Sequence, residues 1–262
     1  MNKHIKLSAL ASVIALIVAS AGLLWAPEQH TLLTFEVTSL ALLLFNSISI
    51  TRCVYKNNES KRVKRVALLC TGSLLLCICG DVVNFNLLEQ YYIHGNVIKH
   101  DYLVDSILFF APGYTLLLLA CFFVIKSKAC NNTRILGLYF LTALCVSLTS
   151  FYSMYIPEAA SYTLVLTWAY SFLITAVGLA SVLLVKSYGA LKAPLSVWIL
   201  SLGLIFAALA DALIGLFWIY GNGGEGFYPQ IRYINWVFYI ISQSIVIHLP
   251  KVMVMNAQNK RS

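Results

Sequence analysis

The sequence predicts an all-α protein that crosses a membrane eight times, on three observations. Of its 262 residues, 60% are hydrophobic and only 11% are charged, with a mean hydropathy of +0.81. A soluble domain carries about 25% charged residues. Its apolar runs reach spanning length, about 20 residues. Its charges are confined to the short segments between those runs.

Spans are predicted at 6–26, 31–50, 66–88, 103–125, 135–156, 161–185, 195–220 and 232–250. The breaks coincide with turn chemistry: Pro27, the polar run from Lys56 to Ser60, Asn131-Asn132, Pro157, Pro194 and the glycine cluster from Gly221 to Gly226. Residues 1–262 therefore read as a single integral membrane domain. In the first span, Lys3 and Lys6 precede an apolar run, and Ala19-Ser20-Ala21 fits the small-residue rule of a cleaved signal peptide. The apolar run nevertheless continues through Trp25, so an uncleaved first helix is expected.

Charge bias sets the orientation. Of the 18 Lys and Arg, all but Lys99 and Arg232 fall in the N-terminus, 51–65, 126–134, 186–194 or the tail. Cytoplasmic loops carry this excess, so both termini are predicted to be cytoplasmic in a multi-pass cell-membrane protein, a bacterial inner membrane being the expected location. The net charge of +8 thus reports topology, and nucleic acid is not an indicated partner. The opposite side holds Glu28, Glu89, Asp101, Glu158 and Glu225, with Trp25, Tyr152, Tyr155, Trp218, Tyr233 and Trp236 among its aromatics. These rings read as an interfacial belt, or alternatively as the entrance for an amphipathic ligand, with segments 89–102 and 221–231 as a lid. The seven cysteines lie in helices or inward loops, Cys53 and Cys130 being those in loops, so no disulfide framework is expected.

Against this apolar background Gly80-Asp81 and Ala210-Asp211 stand out. An ionisable group inside a membrane is costly and marks a functional site by default; the blander account is an Asp that locks two helices by hydrogen bonding. Asp105 follows Asp81 at the same spacing as Asn235 follows Asp211. The agreement predicts two parallel four-helix repeats, 1–130 and 131–255. Glu36, a turn or two into the second span, joins the same outer layer, with Asp105 at its rim. Close carboxylate pairs tend to share a proton, which is what an acid/base site needs. Four separate hydrogen-bonded groups would fit the layer as well.

Other chemistries find little footing. His94 and His100 lie near Asp101 and Asp105, but loop spacing of that kind is not a zinc pattern, and His248 is far from the acidic layer. No metal or other cofactor is expected. Neither a GxSxG elbow nor a phosphate-binding glycine loop occurs.

Gly80-Asp81 late in the third span, Ala210-Asp211 in the seventh, and the closing stretch Phe238-Tyr239-Ile240-Ile241-Ser242-Gln243-Ser244 carry a resemblance. Together they resemble the YhhN/TMEM86 (lysoplasmalogenase-like) family of eight-helix membrane proteins. The chain departs from that family in having Glu36 where a Lys-Pro is common, and Ala111-Pro112-Gly113-Tyr114 where a His is usual. The resemblance implies a hydrolase that cleaves the vinyl ether bond of lysoplasmalogens, with a membrane lipid or lysolipid as partner. It implies Asp81 and Asp211 as catalytic residues, with Tyr239 and Gln243 of the closing stretch as supporting ones; Glu36, Asp105 and Asn235, from the acidic layer and its spacing, are read as further binding or supporting residues. Two carboxyl groups would divide the work as in glycoside hydrolysis. Two other readings compete: a non-catalytic sensor or ligand-binding module, and a proton-coupled transporter. The transporter reading is weakened by the lack of any polar residue expected to mark an inner half-channel.

Overall fold

The computed structural model describes residues 2–25, 29–85, 98–127, 133–153, 155, 161–215 and 229–258. These residues are helical throughout apart from short turns, with no strand among them. In chain order the helices are α1 (Asn2–Trp25), α2 (Gln29–Lys56), α3 (Lys61–Phe85), α4 (Ile98–Ser127), α5 (Thr133–Ser153), α6 (Ser161–Ser187), α7 (Leu195–Leu213), α8 (Pro229–Val246) and α9 (Leu249–Gln258). A 3-10 turn, Ala190–Lys192, joins α6 to α7, with Gly189 at φ 100° supplying the left-handed residue that begins it. Among the described residues eight spans are long and apolar enough to cross a membrane, as in a multi-pass membrane protein.

All eight predicted spans are present, with different ends. α2 runs on to Lys56 and so takes in Cys53, which was expected in a loop. α4 begins at Ile98 rather than 103. Polar residues at a span's edge face headgroup and water, and they continue the helical backbone because nothing there breaks it. The eighth span is two helices. α8 stops at Val246 and α9 starts at Leu249, with Pro250 in its first turn, where a missing N–H costs no intrahelical bond. The His248 carbonyl accepts from the Lys251 and Val252 amides at 3.0 and 3.2 Å. The span thereby extends to Met255, beyond the predicted end at 250.

Neighbouring helices in sequence pack as antiparallel pairs: α1 on α2, α3 on α4, α5 on α6 and α7 on α8. α8 also lies against α1 and touches α2, making the α8–α9 span the most enclosed of the eight; α5 is the least. Small residues set the closest approaches, as expected where lipid removes the hydrophobic drive between helices. A Cβ on Gly113 would come 2.9 Å from Cys77 Sγ, which fixes how closely α4 approaches α3. Pro112, one residue earlier, removes an N–H from inside α4 beside that contact. A Cβ on Gly203 would lie 2.9 Å from Ile245 Cβ, holding α7 to α8.

The segments predicted to form a lid lie largely outside the described residues, as does His94. The six described cysteines, Cys53, Cys70, Cys77, Cys79, Cys121 and Cys145, are free thiols.

Candidate functional site: a carboxylate layer beside an apolar cavity

Asp81 lies in the last turns of α3, Asp211 in the last turn of α7, and Glu36 in the second turn of α2. Because α3 and α7 run opposite to α2, all three acids fall near the same end of the bundle. The described Lys and Arg side chains sit at the other end, on the starts of α1, α3 and α5, the ends of α2 and α6, the 3-10 turn and α9. Glu36 is 1% exposed and Asp81 is 5% exposed. The Glu36 and Asp211 carboxylates are close enough to act electrostatically on Asp81.

Each aspartate is held by a tyrosine. The Tyr239 hydroxyl of α8 donates to Asp81 Oδ2 at 2.7 Å, and the Tyr170 hydroxyl of α6 donates to Asp211 Oδ1 at 2.8 Å. A second ring from the other half of the chain, Tyr114 on α4, points its buried hydroxyl toward Asp211 without closing a hydrogen bond. These rings form one continuous edge-and-face chain. Phe85 meets Trp236 at 6.2 Å between centroids, Trp236 meets Tyr239 at 5.7 Å, and Tyr239 meets Phe110 at 6.3 Å. Phe110 then meets Tyr114 at 6.5 Å, and Tyr114 meets Tyr170 at 6.3 Å. Four of these six rings, Tyr239, Phe110, Tyr114 and Tyr170, thus link the partner of one aspartate to the partner of the other. Gly80 permits this, since a Cβ there would sit 2.6 Å from the Phe110 ring.

Two cavities meet at the acids. A small one of about 50 Å³ is walled by Glu36, Asp81 and Asp211 together with Asn84, Asn235 and Tyr239. A larger one of about 440 Å³ opens between α4, α5, α6 and α7, within the usual range of ligand pockets. Its wall is mostly apolar, with Phe110, Phe151, Trp168, Ile174 and Leu209 prominent. Asn84, Phe110, Asp211 and Ile214 border both cavities, so Asp211 stands between the apolar space and the small cavity that Glu36 and Asp81 also wall. Directly after Asp211 the backbone widens into a π turn at Ile214 and Gly215, both lining the larger cavity. Such turns recur at functional sites.

Several polar atoms here are buried with no hydrogen-bond partner among the described residues. They are Asp211 Oδ2, Asn84 Oδ1, Asn235 Oδ1, Tyr114 Oη, and the indole nitrogens of Trp168 and Trp236. Most buried polar groups in proteins are paired, so a cluster of unpaired ones around a cavity marks a place prepared for something polar.

The sequence-predicted residues divide accordingly. Asp81, Asp211, Glu36, Asn235 and Tyr239 come together on the small cavity. Asp105 does not join them: it is exposed on α4, although the next residue, Ser106, lines the larger cavity. Gln243 is buried one turn beyond Tyr239 and borders neither cavity. Trp236, placed above in the aromatic belt, is instead buried against Asp81's tyrosine. Sequence reasoning missed Tyr114, Tyr170, Phe110, Trp168 and Asn84. For all but Phe110 the signal was a hydroxyl, indole or amide inside an apolar run, where each needs a partner; Phe110 carried none. No group of three or more His, Cys, Asp or Glu suited to a metal ion occurs among the described residues.

A second polar cluster occupies the basic end. Asn46, fully buried in α2, donates to the His4 carbonyl at 2.8 Å and to the Ser8 hydroxyl at 2.9 Å. Its Oδ1 pairs with His4 Nδ1 at 2.8 Å. Ser8 Oγ meets His248 Nε2 at 3.0 Å, and Ser244 Oγ donates to the Ser8 carbonyl at 3.1 Å. The half of the bundle expected to lack polar markers therefore contains a network binding α1, α2 and the α8–α9 junction. Its members lie on three separate stretches of sequence, so no local pattern announced it.

No protein-family model, no curated protein and no solved structure matches this chain.

Proposed function

We propose that the protein is a membrane-embedded hydrolase that cleaves the vinyl ether bond of a lysoplasmalogen-type lipid, with Asp81 and Asp211 as the acid/base pair. The observation that carries this reading is that the two aspartates, from different helices, wall one water-sized cavity beside an apolar one. An alkenyl chain in the larger cavity would bring its ether oxygen and adjacent double bond to the carboxyl groups. One carboxyl, protonated, gives its proton to the outer vinylic carbon, leaving an oxocarbenium ion. The other, ionised, stabilises that cation and takes a proton from attacking water. The resulting hemiacetal breaks its C–O bond, releasing an aldehyde and the glycerol-side alcohol, and the net reaction consumes one water and no proton. Tyr239 and Tyr170 position the two carboxyls through the bonds described above.

The orientation with both termini cytoplasmic is supported by the Lys and Arg side chains gathered at one end of the bundle. It places the acid layer in the outer half of a cell membrane. The two-repeat organisation is supported by exchange between the halves: Asp81 of the first is held by Tyr239 of the second, and Asp211 of the second is approached by Tyr114 of the first. A second reading, proton-coupled transport, is favoured by the His4–Asn46–Ser8–His248 network in the other half. Acid-driven uptake into proteoliposomes would support it.

Purified protein incubated with lysoplasmalogen tests the main reading. Aldehyde release that disappears in folded Asp81→Asn and Asp211→Asn is the expected result. Full activity in either variant refutes it.

A further inference from the structure

We propose that the paired cavities bind a single-chain cationic amphiphile, its ammonium head among Asp81, Asp211 and the aromatic chain and its alkyl tail in the 440 Å³ cavity. The inference rests on reading the paired cavities as the ligand site, and it adds the charge and shape of the ligand.

Three features converge on a positive head. The first is charge: Glu36, Asp81 and Asp211 wall the small cavity. The second is a surplus of acceptors. Asp211 Oδ2, Asn84 Oδ1 and Asn235 Oδ1 are buried beside that cavity without a donor among the described residues. A ligand that brings several N–H donors completes these three oxygens, whereas an anionic head would face three acids with the Trp236 indole as the cavity's unpaired donor. The third is the rings. Tyr239 and Trp236, 5.7 Å apart, wall the same small cavity, and Phe110 borders both cavities. Carboxylates combined with aromatic faces are the usual means of recognising an ammonium group. The tail follows from the larger cavity, whose mostly apolar wall includes Asp211. The same arrangement would favour the oxocarbenium ion of the proposed hydrolysis, so a bound amine should also inhibit that reaction.

The test uses the full chain in a non-ionic detergent, titrated with dodecylammonium, dodecanol or dodecanoate. Tryptophan fluorescence and the thermal unfolding midpoint are read together; Trp168 lines the larger cavity and Trp236 the smaller. Dodecylammonium is expected to bind at least about tenfold more tightly than dodecanol, and dodecanoate more weakly than either. The Asp81→Asn/Asp211→Asn double variant should reduce the amine to the level of the alcohol. Gly215→Leu provides a second probe. Gly215 lines the larger cavity and a Cβ there meets nothing within 4 Å, so leucine fills the tail space without a backbone clash. It should weaken the amine at least about tenfold. Equal binding of all three amphiphiles, or amine binding unchanged by Gly215→Leu, would overturn the proposal. Amine binding without aldehyde release from lysoplasmalogen would leave this site standing and remove the hydrolysis. Aldehyde release that dodecylammonium fails to inhibit would do the reverse.

Discussion

Tyr239→Phe removes one hydroxyl and nothing else from the centre of the site. The bond it breaks is 2.7 Å long, and both Tyr239 and Asp81 are only 5% exposed. A hydrogen bond between neutral groups contributes about 0.5–1.5 kcal/mol, and one to a charged group about 1.5–3 kcal/mol. Reversible unfolding in mixed detergent micelles would measure the wild type, Tyr239→Phe, Asp81→Leu and the double variant. The cycle isolates the pairwise coupling from the packing changes of each single variant. A coupling of at least about 1 kcal/mol is expected; above about 1.5 kcal/mol it would mark an ionised Asp81 and below that a protonated one. A coupling under about 0.3 kcal/mol, the level of independent sites, would refute the Tyr239–Asp81 bond as the element that holds this carboxylate.

Tyr114→Phe provides the contrast. Its hydroxyl is buried without a hydrogen-bond partner, so stability should stay within about 0.5 kcal/mol of wild type or rise, as read in the same unfolding assay. Gly80→Ala should destabilise by about 1–3 kcal/mol, because its methyl would lie 2.6 Å from the Phe110 ring and push that ring into the cavities. Weaker ligand binding by tryptophan fluorescence should accompany the loss. Asn46→Leu should cost at least about 2 kcal/mol, since it leaves His4 and Ser8 without their buried partner. Its hydrogen-exchange signature should be faster exchange at the start of α1, with the far ends of α3 and α7 unchanged.

Length and polarity made the eight spans readable, because a run of about 20 apolar residues has few alternatives in a chain this hydrophobic. Helix ends were less readable. Lys56 and His100 belong to α2 and α4 because headgroup-level polar residues do not stop a helix. The break at His248 depends on Pro250 falling in the first turn of a new helix rather than ending the old one. Within the site, Asp81, Asp211 and Glu36 stood out because a carboxylate inside an apolar run has no bland background to hide in. Tyr114, Tyr170 and Phe110 did not, since an aromatic residue in a span is ordinary until its neighbours are known. Asp105 misled for a related reason. Its spacing from Asp81 repeats that of Asn235 from Asp211, but its helical phase turns it outward while Asn235 turns in.

The most direct test of the acid/base role of the aspartates is cleavage in D₂O, with the aldehyde reduced as it forms so that later exchange cannot add label. Proton transfer to carbon predicts one deuterium on the carbon next to the former carbonyl, and no product from Asp81→Asn or Asp211→Asn. Product without that deuterium, or labelled product from either variant at the wild-type rate, would contradict the mechanism.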